Sequence, residues 1–143
     1  MIRKAIISDL SELCKLERRC FEKKRFSLEH MRWLLENPDA TSYVYCNEGE
    51  VVASIILMRL GRVGKVVSLG VDPEHRRRGI AKSLMALAEE DMRNDGVGSM
   101  HLEVGITNDV AIKLYKSLGY KVVRRIPKYY SWGEDALTMT KRM

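Results

Sequence analysis

The sequence predicts an α/β (α+β) fold in which one mixed sheet carries helices on both faces. The first reason is the order of hydrophobic periods, which alternates between strand and helix spacing as β-α-α-β-β-β-α-β-α-β-β. The second is the length of 143 residues, which suits one domain with its own core. The third is that no linker, repeat or low-complexity tract divides the chain, so residues 1–143 are expected to form a single domain.

The first half of the chain is expected to supply three strands and two helices. Residues 2–6 have the pattern of a short strand, and Asp9 with Glu12 resembles a capping box at the start of the first helix. Ser27 can cap a second helix, which is expected to end near Glu36 before the breaker "NPD". The segments "TSYVYC" and "VVASIILMRL" then predict two strands that form a hairpin through the turn "NEGE".

The second half alternates strands with helices. The segment "KVVSLGV" predicts a strand, and Gly70 inside it indicates a bulge or a close backbone approach. An amphipathic helix follows, with residues 78–81 in its first turn, and Gly96 closes it. "SMHLEV" predicts a strand and residues 110–118 a short helix with Gly119 past its end. The segments "YKVVRRI" and "ALTMTK" predict the last two strands.

Composition places the chain among globular proteins. Hydrophobic residues make up 45% and charged residues 31% of the sequence, and no apolar stretch approaches the roughly 20 residues that a membrane helix needs. The first residues do not form a signal peptide, so we expect a cytoplasmic protein without a membrane partner. Cys14, Cys20 and Cys46 are widely spaced and no cysteine–histidine cluster occurs, which predicts reduced thiols and no metal site.

The net charge of +6 favours an anionic partner. Nucleic acid, an acidic protein and a phosphorylated cofactor all fit that charge. A nucleic-acid-binding protein usually interleaves its basic residues with exposed aromatics or contains a recognisable module, and this sequence shows neither. We therefore expect no specific nucleic-acid partner.

The stretch "VDPEHRRRGIAKSLM" joins a predicted strand to a predicted helix and has the features of an anion site. The first N–H groups of a helix have no partner within the helix and carry the positive end of its dipole. Gly79 and Ala81 are small enough to let an anion approach the backbone closely. The charges around them come from Arg76, Arg77, Arg78 and Lys82. Neither a Walker loop nor GxGxxG is present, so the stretch predicts a pyrophosphate-like ligand, against the alternative of a solvated basic loop.

Three motifs in this order resemble those of a known family. The spacing Arg76-x-x-Gly79-x-Ala81, after a strand that ends in Val-Asp-Pro, resembles the acetyl-CoA signature of the GNAT acetyltransferases. The segments "HLEVGITNDVAIKLYKSLGY" and "PKYYSWGEDALTM" are similar to the RimI/Ard1 type of N-terminal acetyltransferase, most of all to archaeal Ard1-like catalytic subunits. The resemblance runs from about Val66 to Met139. It implies the GNAT fold and the transfer of an acetyl group from acetyl-CoA to protein N-termini, by direct attack in a ternary complex.

The resemblance also implies where acetyl-CoA binds. The strands "KVVSLGV" and "SMHLEV" are expected to splay apart at a bulge, so that the pantetheine arm pairs with the backbone at Leu69 and Val71. The pyrophosphate is expected on the N–H groups of residues 77–82, and Asn108 is expected to hold the pantetheine arm or to cap the next helix. The implied cofactor-binding residues are Leu69, Gly70, Val71, Arg76, Arg77, Arg78, Gly79, Ile80, Ala81, Lys82, Asn108 and Tyr115.

Two residues are implied as catalytic. Transfer to an amine needs a neutral nitrogen, hence a base at the amine and an acid at the leaving thiolate. The resemblance implies Glu103 as the general base acting through water, while the residues alone leave an ion-pair role equally open. Tyr115 is implied as the general acid, and its spacing also allows a core aromatic.

The implied walls of the peptide site are two loops. Tyr129 and Tyr130 lie between the last two strands, and Phe21 and Glu22 lie in "CFEKKRFS", which departs from the Leu-Pro-Glu-Asn pattern of Ard1 enzymes. Gly105 stands where the family commonly has arginine. The implied partners are protein N-termini, and ribosome association or an auxiliary subunit is left open. The alternatives are a GNAT enzyme for lysines or small amines and a non-catalytic module that binds coenzyme A or nucleic acid.

Overall fold

The computed structural model describes residues 1–21 and 26–143, and these form one seven-stranded sheet with helices on both faces. The predicted order of strands and helices is confirmed. Short 3-10 turns at Ile7–Asp9 and Pro73–His75 precede the first and third helices. The elements are β1 (Ile2–Lys4), α1 (Leu10–Cys20), α2 (Leu28–Glu36), β2 (Ala40–Asn47), β3 (Glu50–Leu60), β4 (Val63–Val71), α3 (Ile80–Asn94), β5 (Ser99–Gly105), α4 (Asp109–Ser117), β6 (Lys121–Ile126) and β7 (Ala136–Arg142).

The strand order across the sheet is β1-β2-β3-β4-β5-β7-β6. Neighbouring strands pair antiparallel except β4 and β5, which are parallel and are connected through α3. The two parallel strands therefore end at the same edge of the sheet, and the loops that follow them lie near each other. Within the described ranges, no helix combines the length and the apolar character needed to cross a bilayer.

The starts of the first two helices show one correct and one wrong prediction. Ser27 caps α2, because its hydroxyl accepts a hydrogen bond of 3.1 Å from the N–H of His30. The capping box of Asp9 and Glu12 is wrong, because the Asp9 carboxylate is used elsewhere. It accepts 2.8 and 2.9 Å bonds from the Arg3 guanidinium and a 2.8 Å bond from the N–H of Ile6. The neighbouring strand thus competes successfully for the side chain that the helix was expected to use.

Alternation along the strands builds one core cluster on each face of the sheet. On one face, α3 packs through Leu84, Met85 and Ala88 against strand residues that include Leu102. On the other face, α1 and α2 pack on strand residues that include Ile56. Met100, Leu102 and Val104 of β5 all belong to the α3 face. The residues between them, among them Glu103, consequently face the side of α1 and α2.

The irregularity in β4 does not lie where the sequence indicated it. Leu57 pairs with Val66 and Ile56 with Ser68, so Val67 is the extra residue of the bulge. Gly70 instead pairs regularly with Ser54, and a bulge at Gly70 is wrong. The other reading of this glycine, a close approach, is confirmed: a Cβ there would lie 3.1 Å from Cε2 of Phe21 and 3.3 Å from Sγ of Cys20.

The third helix begins at Ile80, two residues later than the predicted first turn implied. Gly79 is its N-cap and has a φ of 77°, a left-handed conformation that cannot continue an α-helix backward. Arg77 also has a positive φ, of 65°. Residues 77–79 are therefore a bent approach to the helix.

Candidate active site

The parallel pairing of β4 and β5 is short. It runs from Val63 opposite Ser99 to Lys65 opposite His101 and goes no further. Beyond that point β4 stays paired with β3 up to Val71, and β5 stays paired with β7 up to Gly105. The two strands therefore diverge, and the edge of β4 from residue 66 onward is turned toward a gap. An extended ligand can pair with such an edge as an added strand.

The loop after β4 is held in place by its own charges and by α1. The Nε of Arg76 donates a 2.9 Å bond to the carbonyl of Val71, and Nε of Arg19 lies 3.0 Å from Oδ2 of Asp72. The side chains of Arg77 and Arg78 are exposed. The loop thus presents two long, exposed cationic side chains, and the Arg76–Val71 and Arg19–Asp72 contacts hold its backbone.

The start of α3 has the properties of an anion site. The N–H of Ser83 donates to the carbonyl of Gly79 at 3.0 Å, so the N–H groups of Ile80, Ala81 and Lys82 precede the first bond of the helix. A Cβ on Gly79 would meet no atom of the described residues within 4 Å. The space before the helix is therefore open, and this feature, with the exposed arginines, fits a pyrophosphate. A glycine is therefore needed at position 79 because of the positive φ, and not because neighbouring atoms would clash with a side chain.

Asn108 has the structural role that its position suggested. Its Oδ1 accepts a 3.2 Å bond from the N–H of Ala111 and caps α4. The residue is exposed, and the cap uses only the oxygen of the side chain. The Nδ2 group can therefore donate to a ligand in the gap while Oδ1 caps the helix, so the two predicted roles are compatible.

Glu103 lies at the point where the strands diverge, and it forms an ion pair. Its Oε1 is 2.8 Å from Nζ of Lys65, and the Tyr129 hydroxyl lies 3.5 Å from the same oxygen. The Glu103 side chain is 15% exposed, so the carboxylate remains within reach of solvent. Three separate elements, β4, β5 and the loop before β7, thus meet at one carboxylate.

The sequence prediction missed Lys65. Burial lowers the pKa of this lysine, but the hydrogen bond and the charge of Glu103 outweigh burial and raise it above its ordinary value. Lys65 consequently carries its charge throughout the neutral range. Its strand position was predictable, but its proximity to Glu103 depends on the parallel register with β5, which no local pattern indicates.

Tyr115 is a buried aromatic in the cluster on the α3 face. Its side chain is only 7% exposed, and its ring meets that of Tyr120 edge to face at 5.9 Å. Burial, followed by the charge of Tyr130, raises the pKa of Tyr115 to about 12. The core reading of this residue is confirmed, and its role as an acid stays a prediction. Glu103 and Tyr115 lie on opposite faces of β5.

The loop between β6 and β7 brings its tyrosines to the site. Tyr129 is 43% exposed and Tyr130 is half-buried. Their rings meet edge to face at 4.9 Å. Burial raises the pKa of Tyr130 to about 12, with further contributions from the charges of Tyr129, Glu134 and Glu103. Tyr130 therefore lies close enough to influence both Glu103 and Tyr115 electrostatically.

The opposite wall is described only in part. Phe21 follows the last residue of α1, and its ring lies near Gly70 of β4, where a Cβ would come within 3.1 Å of Cε2. Glu22, the other residue predicted for this wall, lies outside the described residues, together with residues 23–25. In the portion of the chain that the structure describes, no three His, Cys, Asp or Glu side chains are grouped so as to hold a metal ion.

Comparison with known proteins matches one family, and the similar proteins are acetyltransferases as well. The model of the acetyltransferase (GNAT) family matches residues 10–120. An N-alpha-acetyltransferase from Sulfurisphaera tokodaii is 32% identical over an alignment that covers 96% of this chain and 90% of the relative. The structure of Ard1 from Thermoplasma volcanium has a TM-score of 0.87 and 26% identity and covers 100% of this chain and 97% of that one. The structure of the ribosomal-protein-S18-alanine N-acetyltransferase from Escherichia coli has a TM-score of 0.91 and 24% identity. It covers 99% of this chain and 92% of that one.

Proposed function

Because this chain belongs to the GNAT family of acetyltransferases, we propose that it transfers the acetyl group of acetyl-CoA to the α-amino group of protein N-termini. The observation that carries the proposal is the divergence of β4 from β5 beyond Lys65, with the open start of α3 at one end of the gap and Glu103 at the other. The N-alpha-acetyltransferase relative aligns over nearly the whole of both chains, which supports the choice of substrate amine.

Acetyl-CoA supplies the activated acetyl group, and the residues at the gap suit its pantetheine arm and its pyrophosphate. The backbone of residues 69–71 can pair with the pantetheine arm, and Nδ2 of Asn108 can donate to the arm from the other side. The N–H groups of residues 80–82, with Arg77 and Arg78, suit the pyrophosphate. Arg76 differs from its neighbours, because its Nε is already committed to the carbonyl of Val71.

The α-amine is the acceptor that this site can activate with least help. An α-ammonium has a pKa of about 7.7–8.0, whereas a lysine ammonium has one of about 10.4, so far more of the α-amine is neutral at pH 7. In the proposed reaction Glu103 takes a proton from the amine through water. Lys65 and the Tyr129 hydroxyl hold the Glu103 carboxylate at the gap. The base is thus positioned from both sides.

Tyr115 is proposed as the donor at the leaving sulfur. With a pKa of about 12, its phenol keeps its proton over the whole working range. A thiol has an ordinary pKa near 8.5, so complete proton transfer from this phenol to a thiolate is uphill. We therefore expect Tyr115 to donate a hydrogen bond to the sulfur as negative charge develops there, and solvent to complete the protonation.

Phe21, Tyr129 and Tyr130 are proposed to line the peptide site, with Glu22 as a further member from the sequence prediction. The E. coli enzyme of similar fold acts, by its name, on an alanine of a ribosomal protein. The N-termini of ribosomal proteins are therefore reasonable first substrates to test. Association with the ribosome or with an auxiliary subunit belongs to the same proposal and is testable by co-purification.

The deciding experiment is acetyl transfer to a small library of peptides that contain one internal lysine. Each peptide is paired with a copy whose N-terminus is blocked, and mass spectrometry locates the acetyl group. We expect modification of the free N-terminus and none of the blocked copy. Acetylation of the lysine in both copies would favour the lysine or small-amine enzyme instead. If no amine leads to the release of coenzyme A, the result would favour a non-catalytic module.

A further inference from the structure

Glu134 lies in the loop between β6 and β7, but its carboxylate binds a residue of a different loop. Its Oε2 accepts a 3.1 Å bond from the N–H of Thr107 and a 2.6 Å bond from the Thr107 hydroxyl. Its other oxygen, Oε1, accepts a 3.1 Å bond from Nε1 of Trp132. Two of these three hydrogen bonds therefore join the carboxylate to the other loop and the third stays within its own loop, and each is strengthened by the negative charge.

The two joined loops face different substrates of the proposed reaction. Thr107 immediately precedes Asn108, which caps α4, and α4 carries Tyr115. Trp132 lies on the peptide side, where its ring stacks on that of Tyr130 at 4.7 Å and an interplanar angle of 11°. The Glu134 carboxylate thus connects the loop that is expected to hold acetyl-CoA with the loop that is expected to hold the peptide.

The base of the peptide-facing loop is fixed to the sheet by other contacts. The Asp135 carboxylate accepts from Nε of Arg125 at 2.7 Å and from the N–H of Lys128 at 2.9 Å. The N–H of Ile106 donates to the carbonyl of Asp135 at 3.1 Å. These bonds fix where the loop leaves the sheet, but they do not reach Trp132. Among the described residues, Glu134 adds a side-chain link from the tip of this loop to the residue before the cap of α4.

We propose that Glu134 is a positioning residue that ties the peptide-facing loop to the acetyl-CoA-facing loop, so that each substrate site is fully formed only while the other loop is held. This inference rests on the proposed function and assigns to Glu134 a role that acts through Thr107 and Trp132. The proposal implies that the two sites are coupled. A change on the acetyl-CoA side of the tie weakens the binding of the peptide, and a change on the peptide side weakens the binding of acetyl-CoA.

The first arm of the test uses two variants of Thr107. Thr107→Val removes the hydroxyl bond and keeps the shape and the N–H bond, whereas Thr107→Ser keeps the hydroxyl and loses only a methyl group. We expect Thr107→Val to raise the peptide KM about 5–20-fold, as the loss of a hydrogen bond to a charged group implies. The Thr107→Ser protein is expected to stay within about twofold of wild type. An unchanged peptide KM in Thr107→Val overturns the proposal.

The second arm uses acetyl-CoA alone and needs no peptide activity. Glu134→Gln replaces one accepting oxygen by an NH2 group and so loses at least one of the three bonds. By calorimetry we expect the Kd of acetyl-CoA to rise several-fold, with an unfolding midpoint close to that of wild type. Binding as tight as wild type overturns the proposal. If wild type acetylates no N-terminus, the proposed function fails, yet this arm still decides whether Glu134 supports the acetyl-CoA site.

A double variant completes the test. If the hydroxyl of Thr107 and the Glu134 carboxylate act through the same contact, Thr107→Val adds little to the effect of Glu134→Gln. Additive effects of the two changes on peptide KM would show that the residues act independently, and would contradict a shared tie.

Discussion

The ammonium of Lys65, the last residue of β4 that pairs with β5, lies 2.8 Å from Oε1 of Glu103, which follows the paired part of β5. The Glu103 carboxylate is therefore both an ion-pair partner and the acidic group at the mouth of the proposed acetyl-CoA gap. The two roles make different predictions. An ion-pair partner contributes to stability, whereas a general base contributes to turnover.

Replacing Glu103 distinguishes these roles. Glu103→Gln keeps the shape of the side chain but cannot accept a proton, so kcat is expected to fall about 10²–10⁴-fold. High pH should partly rescue the variant, because more of the α-amine is then neutral without help. The measurement is kcat from pH 6 to about 9.5 with a saturating peptide. Lys65→Met is the matched control. If the Lys65–Glu103 ion pair is merely structural, both variants lower the unfolding midpoint and leave kcat close to that of wild type.

Tyr115→Phe is expected to lower kcat without rescue at high pH. The wild-type phenol has a pKa of about 12, so it remains a donor throughout the assay range, and its loss is not compensated by a neutral amine. Tyr120→Phe serves as control, because the hydroxyl of this neighbouring buried tyrosine donates to Glu89 at 2.9 Å and is not proposed to act on the sulfur. The control should lose stability and keep kcat. The same response to pH in Tyr115→Phe and Glu103→Gln would show that the two roles are misassigned.

Gly79→Val is expected to weaken acetyl-CoA binding more than Arg77→Ala does. A β-branched residue is strained at a φ of 77°, so the start of α3 must shift. Its first N–H groups then no longer point at the pyrophosphate. Gly61→Val is the matched control, because Gly61 also has a positive φ, of 67°, with open space around it in the turn before β4. Calorimetry should show a Kd increase of about tenfold or more for Gly79→Val only. The reverse order of Gly79→Val and Arg77→Ala would contradict the helix-start site.

Glu17→Gln is expected to stabilise the protein above neutral pH. Glu17 is 3% exposed on α1, and its Oε1 accepts a 2.9 Å bond from the Ser68 hydroxyl, which a glutamine oxygen can also accept. Burial raises its pKa from 4.5 to about 7. Because the folded-state pKa is the higher one, this carboxyl contributes stability below about pH 4.5 and loses it as pH rises through 7.

The stability difference should reach about 3 kcal/mol in favour of Glu17→Gln at pH 8 and vanish near pH 4, since one pKa unit is worth about 1.4 kcal/mol. Denaturant unfolding at the two pH values measures it. Glu12→Gln, on the exposed side of the same helix, is the control and should show no such pH dependence. A Glu17→Gln protein that is less stable than wild type at pH 8 would mean that the hydrogen bonds to the ionised carboxylate outweigh the cost of burying its charge.

The order of elements was predictable from sequence, because periodicity, caps and turn residues act within a few positions of one another. Ser27 caps α2 through the N–H of His30, which is only three residues away. The start of α3 shows the limit of this local reasoning. The glycine that marks the junction was evident, but its left-handed φ moves the first helical residue to Ile80.

Contacts between residues far apart in sequence were decided by the tertiary structure. Arg3 of β1 claims the Asp9 carboxylate, and the extra residue of β4 is Val67 because that is where its register with β3 shifts. The proximity of Lys65 to Glu103 likewise needs the parallel register of two strands that α3 separates. Such contacts depend on how strands are aligned in space, and the alternation of side chains along one strand carries no information about its alignment with the next.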